Sequence, residues 1–254
     1  MIILLSPAKR LNVQEITGIN CVSQPKLIDK SKTLINILKD KSVNEIKTLM
    51  KLSDDLSELN FNRYQNWSIN HNITNANPSI DLFYGDAYKT LDAKSLSKDE
   101  LETLNNKLVI LSGLYGFLKP FDLIQEHRLE MGTKLQNKKG NNLYEFWRDS
   151  ITKELNSVLE KEKNPILVNL ASNEYFKSVD VKKLKCKLVN VSFKEEKDGK
   201  YKTVAIFAKK ARGLMTRFIV TNNIDELENL TAFDYDGYVY SKDLSNEKEF
   251  VFIR

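Results

Sequence analysis

Three short apolar runs punctuate an otherwise polar chain: Met1 to Leu5, Leu108 to Leu111, and Ile166 to Leu170, the last broken only by Asn169. Runs of this length, rich in branched residues and bounded by turn-forming positions, predict strands buried on both faces. Between them the pattern shifts to helical spacing. Leu34, Ile35, Ile37 and Leu38 predict a helix over 29–39. Ser42-Val43-Asn44-Glu45 and Ser97-Lys98-Asp99-Glu100 each let a serine cap the helix while the glutamate reaches back to the cap amide. They predict helices running to about Met50 and Asn106. Ser53, followed by Asp54 and Asp55, predicts another N-terminus, because carboxylates favour the positive end of a helix. Leu143, Trp147, Ile151, Leu155 and Val158 form one stripe of the longest predicted helix, 143–162. Ala211, Leu214, Met215, Phe218 and Ile219 do the same for a helix from about Ala208 to Thr221.

Asp81 to Tyr84 predicts a further strand. Residues 187–207 predict a hairpin about Lys197-Asp198-Gly199-Lys200, since Asp-Gly favours a type I′ turn. A strand pair over 235–241 and 250–253 closes the chain. Strands and helices alternate over the first two thirds and hairpins dominate the last, which predicts an α/β protein with a mixed sheet covered by helices. The chain has 254 residues, with only 9 glycines and 5 prolines and no stretch rich in both. No linker is visible, and one compact domain over 1–254 is expected.

Composition narrows the class. Hydrophobic residues make up 41% and charged residues 29%, values of a globular rather than a disordered chain. The opening apolar run is too short for a signal peptide, and no window approaches the ~20 apolar residues that span a membrane. Two widely separated cysteines, Cys21 and Cys186, exclude a disulfide scaffold. A cytoplasmic, reducing location is expected. His71 and His127 are the only histidines, and no spacing resembles a zinc site; neither metal nor cofactor is expected. Dinucleotide, P-loop and nucleophile-elbow glycine motifs are missing.

With 39 basic and 34 acidic residues the net charge is only +5, so clustering matters more than the total. On the helix from Ala208, Lys210 and Arg217 share a flank with Gly213 between them. A glycine there costs about 1 kcal/mol of helix propensity, and it allows another backbone, or a phosphate, to come close. Lys209 and Arg212 add charge. An ordinary solvated face is the competing reading. Lys177, Lys182, Lys183, Lys185 and Lys187 follow the third apolar run. Lys9 and Arg10 leave the first strand at the end where α/β sheets gather ligand contacts. The two helices within 42–60 meet at Lys51-Leu52-Ser53, and such a junction can offer helix N-terminal amides to a phosphate. A plain helix pair is the alternative. The acids Asp86, Asp122, Glu126, Glu130 and Glu174 could serve acid–base chemistry if one pKa is raised, or could pair with Arg128 and the lysines.

Five blocks carry a family resemblance: Ser6-Pro7-Ala8-Lys9; Ser112-Gly113-Leu114-Tyr115-Gly116; Arg128-Leu129-Glu130-Met131-Gly132; Asn169-Leu170-Ala171-Ser172 with Glu174-Tyr175-Phe176-Lys177; and Ala208 to Met215 with Arg217-Phe218. In this order, over nearly the full chain, they resemble the YaaA peroxide-stress family. The resemblance implies a cytosolic protein that helps cells survive hydrogen peroxide. It also implies a single-domain α/β fold particular to the family, with a positively charged cleft and a helix-hairpin-helix-like element that binds DNA, duplex or branched. Lys9, Lys177, Lys209, Lys210, Arg212 and Arg217 then become candidate phosphate contacts, and Lys51 to Ser53 the candidate hairpin. Both cysteines fall outside the matched blocks, which argues against thiol sensing of peroxide.

Two functions of different class follow. In the first, the chain grips DNA through its backbone with little base reading. In the second, an enzyme acts on a nucleobase or nucleotide in a pocket gathering Asn169, Glu174, Tyr115, Glu130 and Arg128 from loops at strand ends, with aromatic stacking and a carboxylate moving a proton. Iron sequestration is a third idea, and the poor histidine and cysteine supply argues against it.

Overall fold

The apolar runs form the centre of one sheet. In the computed structural model, which describes residues 1–13 and 21–254, they are β1 (Ile2–Leu5), β3 (Leu108–Ser112) and β6 (Ile166–Asn169), buried at every position. β1 lies between the other two and pairs with both in parallel: Leu4 stands opposite Val109 on one side and Asn169 on the other. β6 continues in parallel to β7 (Lys187–Lys197), and β7 to β10 (Glu249–Ile253). Antiparallel strands close the edges: β4 (Gly116–Leu118) against β3, and β9 (Val239–Tyr240) against β10. The order is β4-β3-β1-β6-β7-β10-β9, with β8 (Lys200–Lys202) paired to the end of β7. A separate two-stranded ribbon joins β2 (Asn77–Pro78) to β5 (Leu123–Ile124).

The helices follow the capping signals closely. They are α1 (Ile28–Lys39), α2 (Val43–Met50), α3 (Asp54–Asn66), α4 (Ser79–Leu82), α5 (Asp86–Leu91), α6 (Lys98–Lys107), α7 (Leu143–Leu159), α8 (Asn173–Phe176), α9 (Ala205–Thr221) and α10 (Leu227–Leu230). Ser42 and Ser97 form complete capping boxes with Glu45 and Glu100. Between α2 and α3 the chain turns at Lys51, which takes the left-handed conformation (φ 53°) more usual for glycine.

Two sequence expectations are corrected. Residues 81–84 do not form a strand: Asp81 and Leu82 belong to α4, and only Phe83 makes a bridge, to Leu11. The amides of Ser79 and Ile80 are taken by Asp122 O and Pro120 O, and Phe83 N closes a turn on Ser79 O. Among the described residues, pairing here is limited to that single bridge, with Asn12 N on Leu82 O and Tyr84 N on Arg10 O. The turn at Asp198-Gly199 is present, with φ 55° and 69°, but its second arm is three residues long and does not reach 207. The branched residues Val204 to Phe207 suggest a strand by propensity. Ala208 N instead bonds Val204 O, so α9 begins at Ala205. The closing strand pair is present as β9 against β10, and β10 also lies parallel to β7.

The topology positions the site. From the central β1 the chain goes to β3 on one side and then to β6 and β7 on the other. Loops leaving the C-terminal ends of β1, β3 and β6 therefore meet where the strand order reverses, the place at which α/β sheets open a crevice.

Candidate functional site

Two serines stitch the loops after β1 and β6 together. Ser6 Oγ accepts from Ser172 N at 2.8 Å and donates to Ser172 Oγ at 3.3 Å. Asn169, at the end of β6, holds its own loop: Oδ1 accepts from Ala171 N at 3.0 Å, and Nδ2 donates to Asn190 Oδ1 at 2.8 Å. Ser172 stands at the N-cap position of α8 without a side-chain cap bond, and α8 carries Glu174 and Tyr175 and delivers the exposed Lys177 at its end.

The loop after β3 is tied to the 127–132 segment by close backbone approach. A Cβ on Gly113 would lie 2.1 Å from Leu129 O, so only glycine fits. Trp147 Nε1 donates to Gly113 O at 2.8 Å, fixing the turn from behind. Tyr115 is fully buried, and its hydroxyl is shared by Trp67 Nε1 (3.0 Å), Gln125 N (3.1 Å) and His71 Nε2 (2.9 Å). The Tyr64 hydroxyl donates to Arg128 O and fixes the segment from the α3 side.

These loops bring one charged group together. Glu130 Oε1 sits 3.0 Å from Lys9 Nζ and 3.0 Å from an Arg128 terminal nitrogen. Beside it, Glu174 Oε1 accepts from Gly132 N at 3.0 Å. Pro7, Lys9, Ser112, His127, Glu130 and Tyr175 line a narrow cavity of about 20 Å³, space on the scale of a single water. His127 donates from Nδ1 to Gln125 O at 2.8 Å, which leaves Nε2 as its acceptor. Burial pushes this histidine down to about 4, so it is neutral at physiological pH. Burial, with the nearby Glu174 and Glu130 carboxylates, raises the Tyr175 phenol well above its ordinary value.

Of the five residues expected in an enzymatic pocket, Arg128 and Glu130 converge, and Glu174 lies next to them. Asn169 and Tyr115 stand behind, holding backbone and buried side chains. Lys9, expected at a phosphate, joins the Glu130 cluster. Ser6, Ser112, Ser172 and Tyr175 carried no assigned role beyond membership in the family blocks, and His127 none beyond being one of the two histidines.

The candidate phosphate contacts divide. Lys209 is exposed and Lys210 half-buried. What approaches Gly213 is backbone: a Cβ there would lie 1.9 Å from Ala87 O, and Thr90 Oγ1 donates to Lys210 O at 2.7 Å. Arg217 donates to Leu91 O and Asp92 O at 2.9 and 3.0 Å, capping the C-terminal end of α5. Arg212 is half-buried, and its Nε has no partner among the described residues. α5 in turn touches the loop after β1, through Tyr88 OH to Ser6 O at 2.9 Å, while Tyr84 N bonds Arg10 O at 2.9 Å. The exposed Arg10, Lys89, Lys177 and Lys209 therefore ride on elements linked contact by contact.

At the α2–α3 junction Lys51 is exposed, and Ser53 makes no side-chain cap. Asp54 and Asp55 occupy the first turn of α3, and Asp54 pairs with Lys47 at 2.6 Å. Cys186 is half-buried, and burial pushes its thiol up to about 11. Among the described residues no three His, Cys, Asp or Glu side chains gather as metal ligands, and no helix is long and apolar enough to cross a membrane.

Comparison with known proteins finds similar sequences along nearly the full chain. The sequence profile described as "Peroxide stress protein YaaA" matches residues 1–244. A UPF0246 protein of Marinomonas sp. (strain MWYL1) is 49% identical over 99% of this chain and 96% of its own length. One from Shewanella pealeana is 48% identical over 100% of this chain and 99% of its own. One from Legionella pneumophila (strain Lens) is 47% identical with the same coverage. The chain belongs to the YaaA peroxide stress protein family.

Proposed function

We propose that this peroxide stress protein binds DNA through its phosphate backbone, along the crevice at the C-terminal edge of β1, β3 and β6, and shields it from peroxide and iron damage. The observation that carries this reading is the set of exposed cations, Arg10, Lys177 and Lys209, on elements linked contact by contact to the loop after β1. Lysines on separate elements act as point charges for phosphates and carry no base-reading geometry. Arg217 and Gly213 support the surface by holding α9 against α5. The helix pair at Lys51 to Ser53 is the weaker contact, because Asp54 and Asp55 already occupy the helix end that a phosphate would approach.

Charge reversal tests the placement. Lys177→Glu with Lys209→Glu, both exposed, should leave the fold intact and weaken binding to duplex, single-stranded and four-way-junction DNA alike, by at least about tenfold at moderate salt. Unchanged affinity in the folded double variant would remove the crevice from the interface.

A second reading, an enzyme acting on a nucleobase or nucleotide, is favoured by one observation. Lys9, Arg128, Glu130, Ser112, His127 and Tyr175 crowd more polar chemistry into the crevice than backbone gripping needs. Failure of every DNA to bind, even at low salt, would favour it.

A further inference from the structure

We infer that Lys9 and Arg128 form a phosphate site in the crevice, and that the Glu130 carboxylate occupies it as a built-in competitor until an incoming phosphate displaces it. This rests on the reading that the crevice takes phosphates, and it says how the site is kept closed to weaker anions. Three nitrogens crowd onto one oxygen. Lys9 Nζ and Arg128 Nη2 each lie 3.0 Å from Glu130 Oε1, and Arg128 Nε lies 3.2 Å from it. Glu130 Oε2 takes no donor among the described residues. The arginine fork is thus closed on a single oxygen, although its two N–H groups are spaced for two. A phosphate offers one oxygen to Nε, a second to Nη2 and a third to the lysine. A carboxylate held through one oxygen offers no such match, which is what selects a phosphate for this pair of cations.

The backbone around the cluster is pinned. Tyr64 OH donates to Arg128 O, Leu129 O lies against Gly113, and Thr133 N closes a turn on Glu130 O. The side chains are freer: Lys9 is 61% exposed, and Arg128 and Glu130 are half-buried. Displacement therefore needs only side-chain rotation. Ion pairs this open to solvent contribute little, so a phosphate engaging both cations outcompetes the carboxylate. The neighbouring Glu174 directs Oε1 to Gly132 N at 3.0 Å and pairs with neither cation among the described residues. Glu130 alone is the competitor.

A double-mutant cycle of Lys9→Ala and Glu130→Gln tests it, read by fluorescence anisotropy with single-stranded DNA over a salt series. Glu130→Gln keeps the shape and removes the charge. It should tighten binding about fivefold or more and steepen the slope of log affinity against log salt by about one unit, as the released cations meet phosphates. Lys9→Ala should cost about twofold in the wild-type background and about tenfold in Glu130→Gln. Adding Arg128→Lys to Glu130→Gln should reverse most of the gain, because lysine lacks the fork. The wild-type protein supplies a readout that needs no half-buried substitution: the Arg128 Nε–H proton resonance should shift as the strand saturates. A gain shared by 5′-hydroxyl and 5′-phosphorylated strands would place a backbone diester on the pair, and a gain confined to the phosphorylated strand a terminal monoester. Wild-type binding that a folded Glu130→Gln leaves unchanged, a Lys9→Ala cost equal in both backgrounds, or an unmoved Arg128 resonance at saturation would overturn the inference while leaving DNA binding at the crevice intact. No binding by the wild type or by Glu130→Gln, even at low salt, would remove the phosphate reading and this inference together.

Discussion

A buried carboxylate whose Oδ2 has no donor among the described residues, as at Asp81, leaves a signature in stability. Asp81 titrates near 6 in the folded chain instead of 3.8. Below the ordinary value it is protonated in both states and costs nothing. As pH rises past that value the unfolded chain ionises first, and folding stability falls until the folded group ionises near 6; above that the penalty is constant. A shift of about two units is worth at most roughly 3 kcal/mol. Asp81→Asn should therefore raise Tm by several degrees at neutral pH, with the gain closing toward about pH 4. Thermal melts across that range check it, and a gain independent of pH would contradict the unsatisfied-carboxylate account. At this scale the sequence was only partly legible. Glu130, Arg128 and Lys9 could be named as candidates, but that they form one cluster depends on loops more than 100 residues apart. Tyr115 looked like a pocket residue because loop aromatics often are; three hydrogen bonds to its hydroxyl make it a buried post.

Among the elements, the pairing of α5 with α9 decides how the basic flank is used. Gly213 signals close approach in the sequence, but not what approaches, because Ala87 and Thr90 lie some 120 positions away. In the structure the partner is the α5 backbone, and Arg217 caps that same helix. Gly213→Ala should consequently destabilise by about 2 kcal/mol or more, although alanine is the better helix former by about 1 kcal/mol. Denaturant unfolding measures this, and a stabilised variant would show that α5 yields freely. The capping serines were legible because a cap is a local transaction among four residues. Residues 81–84 and 204–207 were misread because their propensity favours strands: distant carbonyls at 120 and 122 fix the start of α4, and at 204–207 the chain enters the first turn of α9 instead.

For the molecule as a whole, the parallel centre was visible in three apolar runs, whereas the parallel union of β7 and β10 was not, since nothing local specifies a partner across 50 residues. That topology places the loops after β1, β3 and β6 at one edge and makes a crevice there. The central claim is that the cations around this crevice hold a phosphate backbone. Fluorescence anisotropy of the purified protein with duplex, single-stranded and four-way-junction DNA over a salt series tests it most directly. The account predicts binding to all three at low salt, with log affinity falling steeply and linearly in log salt as counterions are released from several phosphates. Affinity that is absent at low salt, or indifferent to salt, would contradict it.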